Sequence, residues 1–176
     1  MPGNSPPVHV AVCGAGAFGR NHLRVYRELE QDGHAVSLAV IIESDSARAA
    51  ALRDEWRVPV HTSVGEALAA RDRGELRIDA ASVCVPTSSH HAVAAPLLSA
   101  GSARGSGIDL LIEKPIAANT DEADALIALA RRHDRILQTG HLERFNPAVL
   151  AVRPLLNRPM FFEAHRLSVF TPRALD

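Results

Sequence analysis

The residues Gly14-Ala15-Gly16-Ala17-Phe18-Gly19 follow an apolar run, Val8 to Cys13, and precede a stretch of helical periodicity. A strand that ends in a glycine turn and opens a helix offers bare backbone N–H groups, at the positive end of a helix dipole, to a pyrophosphate. Each glycine serves a separate purpose. Gly14 makes the tight turn, Gly16 admits phosphates close to the backbone, and Gly19 lets the helix pack on its strand. Ala17 and Phe18, between them, count with the cofactor-binding residues. A second apolar run, Ala35 to Ile42, is followed at once by Glu43, about 20 residues past the glycines, where a dinucleotide fold places an acid for the adenosine ribose. A carboxylate there accepts from both ribose hydroxyls and repels a 2′-phosphate, which favours NAD over NADP. Arg48 keeps the other option open, because an arginine nearby can meet a 2′-phosphate.

The elements that must position these groups are legible as alternating strands and helices. Leu23, Tyr26 and Leu29 mark one face of a helix from Arg20 that stops at Asp32-Gly33. Helical patterns recur over 46–57, 64–71, from His91 to about Ala100, and after a cap at Asn119 or Thr120. Asn119 and Glu122 have the spacing of a capping box. Apolar runs at 58–61, 80–85, 108–112 and 136–139 read as further strands. Alternation of this kind predicts an α/β fold, a Rossmann-type doubly wound parallel sheet over residues 8–146. Its ligand sits beyond the carboxyl ends of the strands, so the turns at Gly14, Glu43, Pro86-Thr87, Glu113-Lys114-Pro115 and Gly140-His141 are expected to converge on one crevice.

Bulk properties exclude several classes. The 176 residues carry a formal charge of -1 with signs interspersed, which gives no electrostatic reason to expect nucleic acid or an anionic membrane. No apolar run is long enough to span a bilayer, and the proline-rich residues 1–7, expected to be a mobile tail, lack the features of a signal peptide, so the expected location is cytoplasmic. Cys13 and Cys84 each lie in an apolar strand run and read as buried thiols, not a disulfide framework. The nine histidines show no metal-ligand spacing, and no metal is expected.

The glycine turn, Pro86-Thr87-Ser88-Ser89-His90, Glu113-Lys114-Pro115 and the stretch from Gly140 to Pro147, in that order and each at a strand end, resemble the Gfo/Idh/MocA family of sugar oxidoreductases. Gly140 to Pro147 together with Glu163 to Ser168 is similar to a branch of that family acting on UDP-N-acetylglucosamine or related nucleotide sugars at C3. The resemblance implies that Lys114 contacts the reacting hydroxyl and the nicotinamide ribose, as the catalytic residue, and that Pro115, through a cis or a trans bond, fixes its turn. Glu113 would orient Lys114 or the ribose, or be a simple strand-end acid. Pro86, Thr87 and His90 would line the cofactor crevice, with a helix-capping or packing role equally open for His90. His141 would touch nicotinamide or substrate, Arg144 a sugar or phosphate, and Arg166, more weakly, a diphosphate.

In the family a second, largely antiparallel domain shapes the sugar pocket and builds a homo-oligomer. Residues 147–176, with a helix-like start and a strand-like run over 160–169, read as the truncated beginning of such an α+β domain, without the histidine that usually accepts the proton. The functional expectation is an NAD-dependent sugar or nucleotide-sugar dehydrogenase. The alternative is a non-catalytic NAD-binding module, regulatory or redox-sensing, which would need the glycines and Glu43 but not Lys114.

Overall fold

In a computed structural model, which describes residues 6–101, 107–158, 160, 161, 163–165 and 167, the first apolar run forms β1 (Val8–Cys13). Successive side chains of a strand point to opposite faces. Ala11 and Cys13 accordingly enter one core cluster and Val12 the other. β1 lies between β2 (Val36–Ile42) and β4 (Ala80–Val83). With β3 (Val60–His61), β5 (Asp109–Ile112) and β6 (Leu137–Thr139) the sheet runs β3-β2-β1-β4-β5-β6, every pairing parallel. The register jumps from Val10↔Leu38 to Ala11↔Val40, which leaves Ala39 as the extra residue of a bulge. Chain order reverses between β1 and β4, and a parallel sheet leaves a crevice outside its carboxyl edge at such a switch point.

Helices α1 (Ala17–Gln31) and α2 (Ser46–Trp56) cover one face, where Leu23, Ala49 and Leu52 pack with Val12, Leu38, Ile41 and Val60. Helices α3 (Val64–Asp72), α4 (His90–Ser99) and α5 (Thr120–Arg132) cover the other through Ala67, Ala94, Leu97, Leu98, Leu126 and Ala130. Asp45, Ser63 and Asn119 accept N–H groups at the starts of α2, α3 and α5. The capping box at Asn119 is half formed, since Glu122 reaches back to the N–H of Ala118 and not to that of Asn119. Two elements depart from the sequence reading near the crevice. Helix α1 begins at Ala17, so the last turn residues are already helical, and β4 ends at Val83, so Cys84 and Val85 belong to the loop. Cys13 is buried as expected, whereas Cys84 is only half-buried.

Leu23 is fully buried between α1 and the sheet. Leu23→Ala is expected to lower stability by about 2–5 kcal/mol, read as a lower urea midpoint at unchanged slope. A shift below about 0.5 kcal/mol would show that α1 is not clamped there.

The described chain divides into two units, residues 1–140 and 141–176, whereas the sequence reading divides it after residue 146. Residues 141–146 join the second unit because the turn Leu142–Phe145 leads into Asn146, whose side chain caps the N–H of Ala148 at the start of α6 (Pro147–Val152). A further 3-10 turn, Arg153–Leu155, ends this stretch. The strand-like run at 160–169 is not a strand among its described residues. Alternation of side chains alone cannot make one, because backbone N–H and C=O groups need a ladder partner, and no strand of this unit is described. Met160, Phe161 and Leu167 are exposed. The mobile-tail expectation, from its start through residue 5, and Arg166 lie outside the described residues. No helix among the described residues is long and apolar enough to cross a membrane.

Candidate active site

The glycine turn is built as its spacing demands. Gly14 has φ 84°, a left-handed conformation, and its N–H donates to the Ile42 carbonyl at 2.8 Å. A Cβ on Gly19 would lie 1.8 Å from the Gly14 carbonyl oxygen, so only glycine lets α1 sit this close to the turn. A Cβ on Gly16 would meet nothing within 4 Å: its outer side is open space. Gly16 is also the N-cap of α1, with no side-chain cap and no acid in the first turn. The first N–H groups of α1 are therefore left for an anion.

Outside the carboxyl edge of β1, β2 and β4 lies a groove of about 700 Å³. The glycine turn, Glu43, Arg48, Thr62 to Val64, Val85, Pro86, Ala92 and Val93 line it. Cys13 and Cys84 form part of its floor. Volume, apolar walls, uncapped N–H groups and an acid at one end together fit a dinucleotide.

Glu43 is 4% exposed, and its carboxylate is already held: Oε2 accepts from the Ala15 N–H at 3.0 Å, and Oε1 from the Asp45 N–H at 3.0 Å and Arg48 at 3.1 Å. Burial alone would raise this carboxyl, but the N–H groups of Asp45 and Ala15 and the Arg48 guanidinium outweigh it and hold the group below the usual carboxylate range. One acid thus ties β2 to the glycine turn. It also holds Arg48, half-exposed at the groove, by an ion pair.

Asp79, at the opposite edge, is likewise held low. Burial would raise it, and the His9 N–H, Arg77 and the His9 ring more than offset this. A carboxyl with a depressed folded pKa contributes stability above its unfolded pKa and loses that contribution as pH falls through the folded value. The urea midpoint is therefore expected to be flat above about pH 5 and to fall below about pH 4, with Asp79→Asn flattening the slope. A midpoint unchanged down to about pH 3 in the unsubstituted chain would contradict this account of both groups.

Lys114 is exposed, and its Nζ stands 5.7 Å from the centroid of the Phe18 ring, within cation–π range. The Glu-Lys-Pro turn and the glycine turn thus share one rim. The Lys114-Pro115 peptide is cis. Glu113 points inward: it is 7% exposed, and its Oε1 lies 3.0 Å from His22 Nε2. A Cβ on Gly140 would come within 3.0 Å of that same Oε1.

Pro86 and Ser89 line the groove, and Thr87 begins the 3-10 turn Thr87–Ser89. His90 is 1% exposed and turned into the protein, with Nδ1 at 2.8 Å from the Pro115 carbonyl and Nε2 at 2.9 Å from that of Val85. Of the two roles left open for it, the packing one agrees with this burial, since the ring lies between two backbone carbonyls. His141 and Arg144 belong to the second unit, where both are exposed and the Arg144 N–H donates to the His141 carbonyl at 3.0 Å.

Sequence reasoning passed over His22. A signal was present: it stands one turn beyond Gly19, next to Leu23, on the face that α1 buries.

Residues 8–141 match the family model described as the oxidoreductase family with an NAD-binding Rossmann fold. The UDP-N-acetylglucosamine 3-dehydrogenase of Acidithiobacillus ferrooxidans is 36% identical over 96% of this chain and 48% of its own. An inositol 2-dehydrogenase of Corynebacterium glutamicum is 30% identical over 86% of this chain and 42% of its own. A solved structure of the Acidithiobacillus protein superposes with a TM-score of 0.70 at 33% identity, covering 86% of this chain and 44% of that one. GenD2 of gentamicin A biosynthesis, solved with NAD, does so with 0.71 at 25% identity, covering 88% and 41%. The chain spans about half the length of the curated relatives it matches. An uncapped helix start behind a glycine turn, a buried acid ending β2 and a lysine turn on the same rim thus coincide with a family match over 8–141, and the chain belongs to the Gfo/Idh/MocA oxidoreductases.

Proposed function

We propose that this chain supplies the NAD-binding half and the lysine of a dehydrogenase that takes hydride from a sugar hydroxyl carbon, C3 of a UDP-N-acetylhexosamine or a related sugar. The observation that carries the reading is the place of Lys114 Nζ, over Phe18 on the rim of the glycine turn. The 36% identity to a UDP-N-acetylglucosamine 3-dehydrogenase supports the choice of sugar.

NAD, when bound, supplies the hydride acceptor. The uncapped N–H groups of α1 bind its phosphates, and Glu43 receives the adenosine ribose with Arg48 beside it. Three of the four or so acceptor positions of the Glu43 carboxylate are taken by Ala15, Asp45 and Arg48, so a ribose hydroxyl uses the remaining one or displaces Arg48. Lys114, an ammonium on an exposed stem, donates to the sugar oxygen and stabilises negative charge as the carbonyl forms, while the hydroxyl proton goes to a base that the C-terminal half of the dehydrogenase supplies. His141 and Arg144, just beyond Gly140 in the chain, are proposed for the nicotinamide and sugar contacts.

Calorimetric titration of the chain with NAD and NADP tests the cofactor half of this reading. NAD is expected to bind at least about tenfold more tightly, and NADP binding equally tight would remove the role given to Glu43. The chemical half is tested by NADH formation from UDP-N-acetylglucosamine, its uronic acid and free sugars. That assay uses the chain fused to the C-terminal half of the Acidithiobacillus relative. Tight NAD binding with no turnover on any of them would favour a non-catalytic NAD-binding module.

A further inference from the structure

We infer that His22 is a positioning residue for Lys114, acting through Glu113 and linking the helix that receives the phosphates to the turn that carries the amine. The inference rests on the reading of Lys114 as the amine that meets the sugar oxygen. Helix α1 starts at the groove with its uncapped N–H groups at Ala17 to Gly19, and His22 follows on the face turned to the sheet, about 5–8 Å along the axis. The side chains of His22 and Glu113 are only 14% and 8% exposed, and Nε2 lies 3.0 Å from Oε1. A carboxylate can only accept, so Nε2 carries the hydrogen.

The other oxygen, Oε2, accepts from the backbone N–H of Lys114 at 3.3 Å. The carboxylate is confined on a further side by the exit of β6, where a Cβ on Gly140 would stand 3.0 Å from Oε1 and 3.2 Å from Oε2. Its charge is felt nearby: the Cys84 thiol is pushed up first by burial and then by Glu113. Glu113 is therefore a buried acceptor gripped between α1, the end of β6 and the main chain of the residue it positions.

Buried carboxylates are costly unless each oxygen is satisfied. Without the His22 donor, Glu113 has the Lys114 ammonium as its nearest remaining source of compensation in sequence. Any turn of the carboxylate toward that ammonium draws Nζ off the rim marked by Phe18. His22 prevents this by holding Oε1 inward.

The test separates the nicotinamide end of the ligand from the adenosine end. NADH and ADP share the adenosine diphosphate, and only NADH reaches the Lys114 turn. Calorimetry on the chain is expected to show that His22→Phe lowers NADH affinity about tenfold while ADP affinity stays within about twofold. His22→Asn or His22→Gln, either of which keeps an N–H donor, should restore most of the loss. His22→Phe made on top of Glu113→Gln should cost less than His22→Phe alone, the signature of a coupled pair. Circular dichroism confirms that each variant is folded, and the amide variants carry the test if His22→Phe is not. Equal loss of NADH and ADP binding, no rescue by an amide, or additive effects would overturn the inference. If Lys114→Ala lowers NADH binding but His22→Phe does not, the inference fails and the Lys114 reading stands; if Lys114→Ala also leaves it unchanged, both fail.

Discussion

Gly19→Ala is expected to abolish measurable NAD binding and to destabilise the chain, whereas Gly16→Ala should weaken binding and leave stability nearly unchanged. The two glycines differ by what surrounds them. At Gly19 the new Cβ would stand 1.8 Å from the Gly14 carbonyl oxygen and 2.8 Å from its carbon, both backbone atoms that cannot rotate aside. Relief requires α1 to withdraw from the turn by more than an ångström, since ordinary contacts begin near 3.4 Å. That movement carries the uncapped N–H groups away from the groove and pulls Leu23 from the core. The expected cost is about 3 kcal/mol or more in stability, with affinity reduced by at least about a hundredfold. At Gly16 the Cβ enters open space, so only the approach of phosphates is obstructed, and the stability change should stay within about 0.5 kcal/mol. Gly14→Ala belongs with Gly19, because φ 84° strains any L side chain and the Cβ would press within 2.9 Å of Val85. Thermal melts and calorimetry on the three variants decide the matter. Equal stability loss at Gly16 and Gly19 would refute the division of labour.

This turn was legible in the sequence because each glycine answers a local geometric demand. The strands were legible too, since continuous apolar runs such as Ala35 to Ile42 have few other uses in a chain of this size. Long-range polar pairing leaves no such trace. Nothing local to Glu43 says that its carboxylate would fold back onto the Ala15 N–H, or that Arg48 would pair with it. Two inward-turned histidines show the same gap: His22 and Glu113 are ninety-one positions apart, and His90 meets carbonyls on both sides of itself in sequence. At 160–169 the described residues form no strand, and 162, 166, 168 and 169 lie outside the described residues. A strand needs a partner as well as a pattern, and the pattern alone is visible in the sequence.

Lys114→Ala is expected to lower kcat by about a hundred- to a thousandfold in the chain fused to the C-terminal half of the Acidithiobacillus relative, with the KM for NAD raised by only about tenfold through loss of the lysine contact at the nicotinamide end. The asymmetry follows from geometry. On the proposed reading the phosphates lie on the backbone of α1 and the adenosine ribose on Glu43, neither of which depends on the lysine stem, whereas the ammonium meets charge that develops on the sugar oxygen. Its root is rigid, because β5 is paired on both sides, Ile112 with Val83 and with Thr139, and Glu113 is pinned behind it. Its tip is free to turn from Phe18 to substrate, since Nζ rests on a ring face and not on a carboxylate. Lys114→Arg keeps the charge but spreads it over a planar group of different reach, so it should recover only part of the rate. Phe18→Leu removes the ring that receives the idle ammonium, and its effect should be confined to a few-fold in kcat. Turnover within about twofold of the unsubstituted fusion in Lys114→Ala would show that the developing charge is stabilised elsewhere.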